Sequence, residues 1–222
     1  MRGRTEAKNG RRDFSLNRWT ATFRRPDRER AFLRQLLPQT QSQLRIALIV
    51  CAVFYVAFAL SDVAVLGYSD KALQLFMARA LVAVAAALGV FALARQPQSI
   101  RAPSVVATAV EVVGMSAFMP VVLHRPHEIP WHAMSMSIML VVVHLFIPNS
   151  FVNATAVSIA TTVVFSLLAI HVGALSVSDT LTMTMLLVLV NTVGIIAAHR
   201  YQCLGRRQFR AQCEDAVDEA AV

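Results

Sequence analysis

Apolar residues run along this chain in six blocks, at 44–66, 73–94, 104–123, 131–147, 151–171 and 180–198. Each approaches the roughly 20 residues that a helix needs to cross a hydrocarbon layer about 30 Å thick. None shows the apolar/polar alternation of a membrane barrel strand, and an open sheet in lipid leaves backbone groups unpaired. The pattern predicts an all-α polytopic membrane protein, a six-transmembrane-helix bundle. Breakers mark the connectors: Gly67 and Asp70, Pro97 and Pro103, Pro126 and Pro130, Pro148-Asn149, and Gly173.

Composition sharpens this reading. The 222 residues are 56% hydrophobic and 15% charged, with a mean hydropathy of +0.56. A water-soluble globule carries about a quarter charged residues and is excluded. The chain divides into a basic N-terminal arm (1–43), the six-helix domain (44–198) and a C-terminal helix (199–222). Neither end is long enough for a catalytic domain with its own core. Cys51, Cys203 and Cys213 form no CxxC pair and read as free thiols.

Charge then sets direction. Of 21 Lys and Arg, 12 lie between Arg2 and Arg45, Arg95 and Arg101 flank the second connector, and Arg200, Arg206, Arg207 and Arg210 follow the sixth span. Lys71 and Arg125 alone fall in the alternate connectors, and Arg79 lies inside a span. Basic residues stay on the cytoplasmic side, so the expectation is a multi-pass protein of the cell inner membrane with both termini cytoplasmic. The arm interleaves Phe14, Leu16, Trp19, Phe23, Phe32, Leu33, Leu36 and Leu37 with arginines. That pattern suits a partly amphipathic segment drawn to anionic lipid at about 1 kcal/mol per basic residue. Zinc-ligand spacing and a helix-turn-helix pattern are both missing from it, so no nucleic-acid partner is expected. The basic lead is too long for a cleaved signal peptide.

Ionisable groups inside a span cost roughly 2.5–3.5 kcal/mol each and require a partner or a cavity. Asp62 and Arg79 are about equally far from the 67–71 turn, so an antiparallel hairpin brings them to one depth as an ion pair. Tyr55, Phe58 and Asp62 recur at i, i+3 and i+7 and share a helix face. Glu111, His144 and Asn191 lie in the inner half of their spans. They form either one inward-facing polar cluster or three separately bonded residues. Around the outer prolines stand His124, His127, Glu128 and His132, with His171 and Asp179 at the next outer turn. Imidazole and carboxylate suit a transition metal, so His124, His127 and His132 are the candidate metal ligands, interfacial histidines being the alternative. The sequence calls for no other cofactor.

Beyond the sixth span no proline interrupts the chain. Phe209, Cys213, Ala216 and Ala220 recur with the spacing of a narrow coiled-coil seam. Arg45, Tyr55, Phe58, Asp62, Arg79, the Asn191-x-x-Gly194 step and Arg206-Arg207-x-Phe209 together resemble the six-helix membrane input domains that precede GGDEF-type diguanylate cyclases and some adenylyl cyclases or sensor kinases. The likeness spans roughly residues 33–214. It implies a sensor domain that binds a small ligand of unknown identity and pairs as a homodimer. Its exit segment, with Arg206, Arg207 and Phe209, passes the signal to a cytoplasmic output domain. No GGDEF signature occurs in the 222 residues, and no Ser/His, paired-Asp or HExxH constellation makes the chain an enzyme by itself. A non-sensing accessory or assembly protein and a small transporter-like protein are the alternatives.

Orientation is open to direct measurement. Reporter domains fused after Val222 are expected to be active only as cytoplasmic reporters. A fusion active only in the periplasm would reverse the assigned direction.

Overall fold

The computed structural model describes residues 14–219. Its helices are α1 (Pro26–Ala57), α2 (Ala59–Leu66), α3 (Asp70–Arg95), α4 (Ala102–His124), α5 (Ile129–Leu145), α6 (Phe151–Val172) and α7 (Val177–Glu219), with a 3-10 turn at Pro126–Glu128 before α5. Six helical segments are long and apolar enough to cross a membrane, α1 and α2 together making the first. The described residues contain no strand, only an isolated bridge between Leu16 and Phe23. Leu16, Trp19 and Phe23 therefore lie in a turn, and the described helix begins at Pro26. The expected spans start and stop within a few residues of these helices except at two places. α1 starts well before Leu44, and α7 runs unbroken past Ala198, so positions 43 and 198 fall inside helices.

Local chemistry explains the boundaries. Pro26 and Pro103 occupy first-turn positions where a missing N–H costs nothing. Ser69 and Ser150 cap α3 and α6 by accepting the N–H of Ala72 and Asn153. Gly67 and Gly173 end α2 and α6 at φ of 62° and 64°, a left-handed conformation that disfavours a side chain.

Packing runs from α1 to α3, α4, α6 and α7, with α5 closing against α7 and α6. Leu75, Phe118, Val122, Ile129, Met136, Leu140, Phe165 and Leu187 build the larger core, and Leu44, Leu48, Ala86, Leu93 and Ala107 a second one near the termini. The outer surface differs from that of a soluble protein, and the apolar interior also encloses polar side chains. Ser158, Thr161, Thr162, Ser166 and Asn191 are buried, whereas Val53, Leu81, Leu88, Val163, Leu167 and Leu186 face outward. That distribution fits a surface solvated by hydrocarbon. With an even number of crossings, the 14–25 segment and the end of α7 meet at one end of the bundle, where Phe23 contacts Phe209.

At Gly194 α7 packs directly on the His144 ring of α5: a Cβ there would lie 2.5 Å from His144 Cδ2. Gly194→Ala is expected to displace the His144 ring and destabilise the bundle by about 1–3 kcal/mol. Gly205→Ala, whose Cβ meets only Phe32 Cζ at 3.8 Å, keeps or raises stability through its better helix propensity. Thermal unfolding in detergent checks both. Equal behaviour of the two variants would contradict the close approach.

Candidate functional site

At the end of the bundle away from the termini, the 67–71 turn folds α2 against α3 and brings Asp62 to Arg79. Arg79 Nε donates to Asp62 Oδ2 at 2.6 Å and Nη2 to Oδ1 at 3.1 Å, a two-point contact in which Asp62 is 1% exposed. The expected ion pair is formed, and a third residue joins it. Arg125, which follows the last turn of α4, donates from Nη1 to Asp62 Oδ1 at 2.8 Å and to Ser61 Oγ at 3.3 Å. Its Nη2 is paired with Glu128 of the 3-10 turn. Two arginines and two carboxylates make the group neutral. The turn supplies the second carboxylate because Pro126 ends α4 and folds the chain back.

The first span is interrupted at Phe58, between α1 and α2, without a proline or glycine. Arg79 supplies a cause: its Nη1 donates to the Tyr55 carbonyl at 3.3 Å, inserting into the backbone ladder. Its guanidinium carbon lies 5.6 Å from the centre of the Tyr55 ring and 5.7 Å from that of Phe58. The Tyr55 hydroxyl donates to the Gly114 carbonyl of α4 at 2.6 Å. Thus Tyr55 and Asp62 face inward, while Phe58 sits on the rim, 52% exposed.

The inner-half residues split into two networks. His144 of α5 bonds Asn191 of α7 at 3.0 Å, and Asn191 Nδ2 donates to Thr162 of α6 at 3.1 Å. Glu111 belongs elsewhere: its Oε2 accepts from Asn149 Nδ2 at 2.8 Å, and Asn149 also bonds Thr108 and Ser104. Asn149 was the missed residue. Its Pro148-Asn149 setting reads as a turn, yet its amide ties α4 to the α5–α6 connector, and its carbonyl accepts from Gln202 of α7.

The outer histidines do not converge. His124 bonds the Pro120 carbonyl and Gln74, His132 bonds the Arg125 carbonyl at 3.2 Å and meets the Phe118 ring edge-on, and His127 is exposed. Among the described residues no group of three His, Cys, Asp or Glu is placed to hold a metal ion.

The exit residues lie in a second assembly, at the termini. Arg206 is buried and pairs with Glu29 of α1, Nη2 to Oε1 at 2.6 Å and Nε to Oε2 at 3.1 Å. Its guanidinium also lies 4.7 Å over Phe32. Phe209 is buried against Phe23 and Phe32 at centroid separations of 6.0 and 5.5 Å, and Phe14 completes the cluster. The Phe23 N–H donates to Glu29 Oε2, closing the turn onto the ion pair. Arg207 is exposed. This clasp covers the first two positions of the expected seam, Phe209 and Cys213; Ala216 is exposed, and Ala220 lies outside the described residues. Glu29 and the phenylalanines were not separable in sequence from an amphipathic arm, since the same interleaving of aromatic and basic residues serves both.

No protein family, curated protein or solved structure matches this chain.

The charged group generates a sharp expectation. Asp62→Asn strips both buried arginines of their shared carboxylate and is expected to cost about 3–5 kcal/mol, more than Arg79→Gln, which leaves Asp62 with Arg125. The double variant loses less than the sum of the two. Strictly additive losses, measured as unfolding in detergent, would show that the pair is not coupled.

Proposed function

We propose that this chain is a membrane-embedded sensory input domain that relays a signal through the cytoplasmic end of α7 to an output domain of the cyclase type. The observation that carries this reading is the continuity of α7. At 1.5 Å per residue, its 43 residues span about 64 Å, roughly twice the hydrocarbon layer. Such a rod joins the turn after Gly173 at one end of the bundle to the clasp at the other without a hinge. A rotation or shift of its membrane half is carried to Arg206 and Phe209.

The clasp gives the rod two alternatives. Phe209 and Cys213 either pack on the N-terminal segment or form the start of a seam with a second copy, and one face cannot do both. Closed, the clasp holds Phe209 and Cys213 within the same chain. Open, it frees a face whose small residues offer weak pairing, and a coupling of about 1–3 kcal/mol is enough to move such an equilibrium. On this reading the protein resides in the inner membrane with both termini cytoplasmic, works as a homodimer and is not itself an enzyme. Its stimulus acts on the bundle, where the His144–Asn191–Thr162 network joins α7 to α5 and α6, and Gln202 of α7 bonds the Asn149 carbonyl of the second network.

Fusion of residues 1–222 in register to a diguanylate cyclase catalytic domain tests the relay. Insertion of one to seven residues after Val222 is expected to make activity oscillate with helical phase. Glu29→Gln is expected to shift activity several-fold and, with Cys51 and Cys203 replaced by serine, to increase Cys213 crosslinking between copies. Activity indifferent to insertion length and to the Glu29 change would mark α7 as a passive tether.

A further inference from the structure

Beside the clasp lies a cavity of about 250 Å³ lined by Phe14, Ser15, Leu16, Phe23, Arg206, Arg207 and Arg210. Arg206 and Arg207, neighbours in α7, and Arg210 one turn further on thus line a space bounded on the other side by the N-terminal turn. Arg206 is committed to Glu29 and Arg210 donates to Glu214 at 2.8 Å. Arg207 has no hydrogen-bond or ion-pair partner among the described residues and is exposed. A fourth arginine, Arg28, lies 4.7 Å over Phe14 of the cavity wall. Among the described residues, these four cations against the carboxylates of Glu29 and Glu214 leave a local surplus of two positive charges.

We propose that this cavity binds a phosphomonoester, held by Arg207 and Arg210 with the Ser15 hydroxyl at its edge and Arg206 beneath. Charge selects the class. A phosphomonoester carries about −1.5 to −2 at neutral pH and presents three acceptor oxygens, whereas a phosphodiester or carboxylate carries a single charge. Guanidinium forks match phosphoryl oxygens, and Arg207 and Arg210, at i and i+3, approach from one helix face.

Depth selects the class again. His199 bonds the Arg18 carbonyl at 2.9 Å and so fixes the N-terminal turn to α7 one residue beyond the last apolar block. At the tip of that turn Trp19 is 82% exposed, the placement of an interfacial anchor. Arg206–Arg210 lie about 10–17 Å further along the helix. The polar layer on each side of a bilayer is only roughly 5–8 Å thick. Phosphodiesters in the plane of the headgroups therefore fall short of the cavity. A phosphomonoester on an extended lipid headgroup reaches it, and so does a soluble phosphomonoester. This chemistry stands apart from the relay: binding requires only the cavity.

The test uses the full chain in phosphatidylcholine nanodiscs, titrated calorimetrically with inorganic phosphate, whose dianion carries the same charge. Parallel nanodiscs contain phosphatidylinositol 4-phosphate or phosphatidylglycerol, with protection of the clasp followed by hydrogen exchange. Saturable binding of phosphate identifies a soluble source, and protection by phosphatidylinositol 4-phosphate alone identifies a lipid source; both support the site. Arg207→Gln, at an exposed position, and its combination with Arg210→Gln are expected to weaken binding roughly tenfold or more. Arg34→Gln, which removes an exposed charge of the same sign away from the cavity, leaves binding unchanged. Equal protection by phosphatidylglycerol, equal weakening by Arg34→Gln, or no binding of either inorganic phosphate or phosphatidylinositol 4-phosphate would overturn the assignment.

Discussion

A carboxylate in hydrocarbon has to be neutralised from within the protein, and Asp62 is where the bundle meets that demand. The desolvation of one ion costs several kcal/mol, which a single contact recovers only with good geometry and full hydrogen bonding. Asp62 receives three contacts from two arginines at 2.6–3.1 Å, one from α3 and the other from the connector after α4. Its position therefore fixes the register of α2 against α3 and holds the end of α4 against both. The interruption at Phe58 belongs to the same group: the Tyr55 carbonyl beside it accepts from the guanidinium that Asp62 holds in place.

The same absence of water organises the rest of the interior. Side chains that would be solvated in a soluble protein reach across helices here, because no other partner exists at that depth. Thr162, Asn191 and His144 join α6, α7 and α5, and Ser104, Thr108, Glu111 and Asn149 join α4 to the connector beside α7. Apolar contacts between helices compete with equally apolar lipid and give little direction. The polar bridges supply it, which is why three sparse networks suffice to order six long helices.

Legibility in the sequence follows from the range of each interaction. The spans are read directly, since their length is set by the bilayer and not by any partner. Asp62–Arg79 is also legible, because a tight turn between two helices makes depth a matter of counting. Arg125 is not, as it enters through a connector whose direction depends on the fold. One signal was present: it stands on the side of the membrane that basic residues otherwise avoid, so a specific anion had to hold it. The clasp lay further from view. Glu29 and Arg206 are separated by almost the whole chain, and only the even number of crossings brings them together.

The two charged assemblies differ in what they allow. At Asp62 both partners are buried in a medium that offers no substitute, so opening the group strands charges and its state is fixed. At the clasp, Glu29 is 16% exposed and Trp19 and Arg207 meet solvent or headgroups, so water is an available partner. Edge-to-face aromatic pairs there contribute about 0.5–1.5 kcal/mol each, comparable with the free energy of a typical coupling between sites. If a signal leaves the bundle along α7, the rigid end defines the motion and the clasp is where a small free energy changes the outcome.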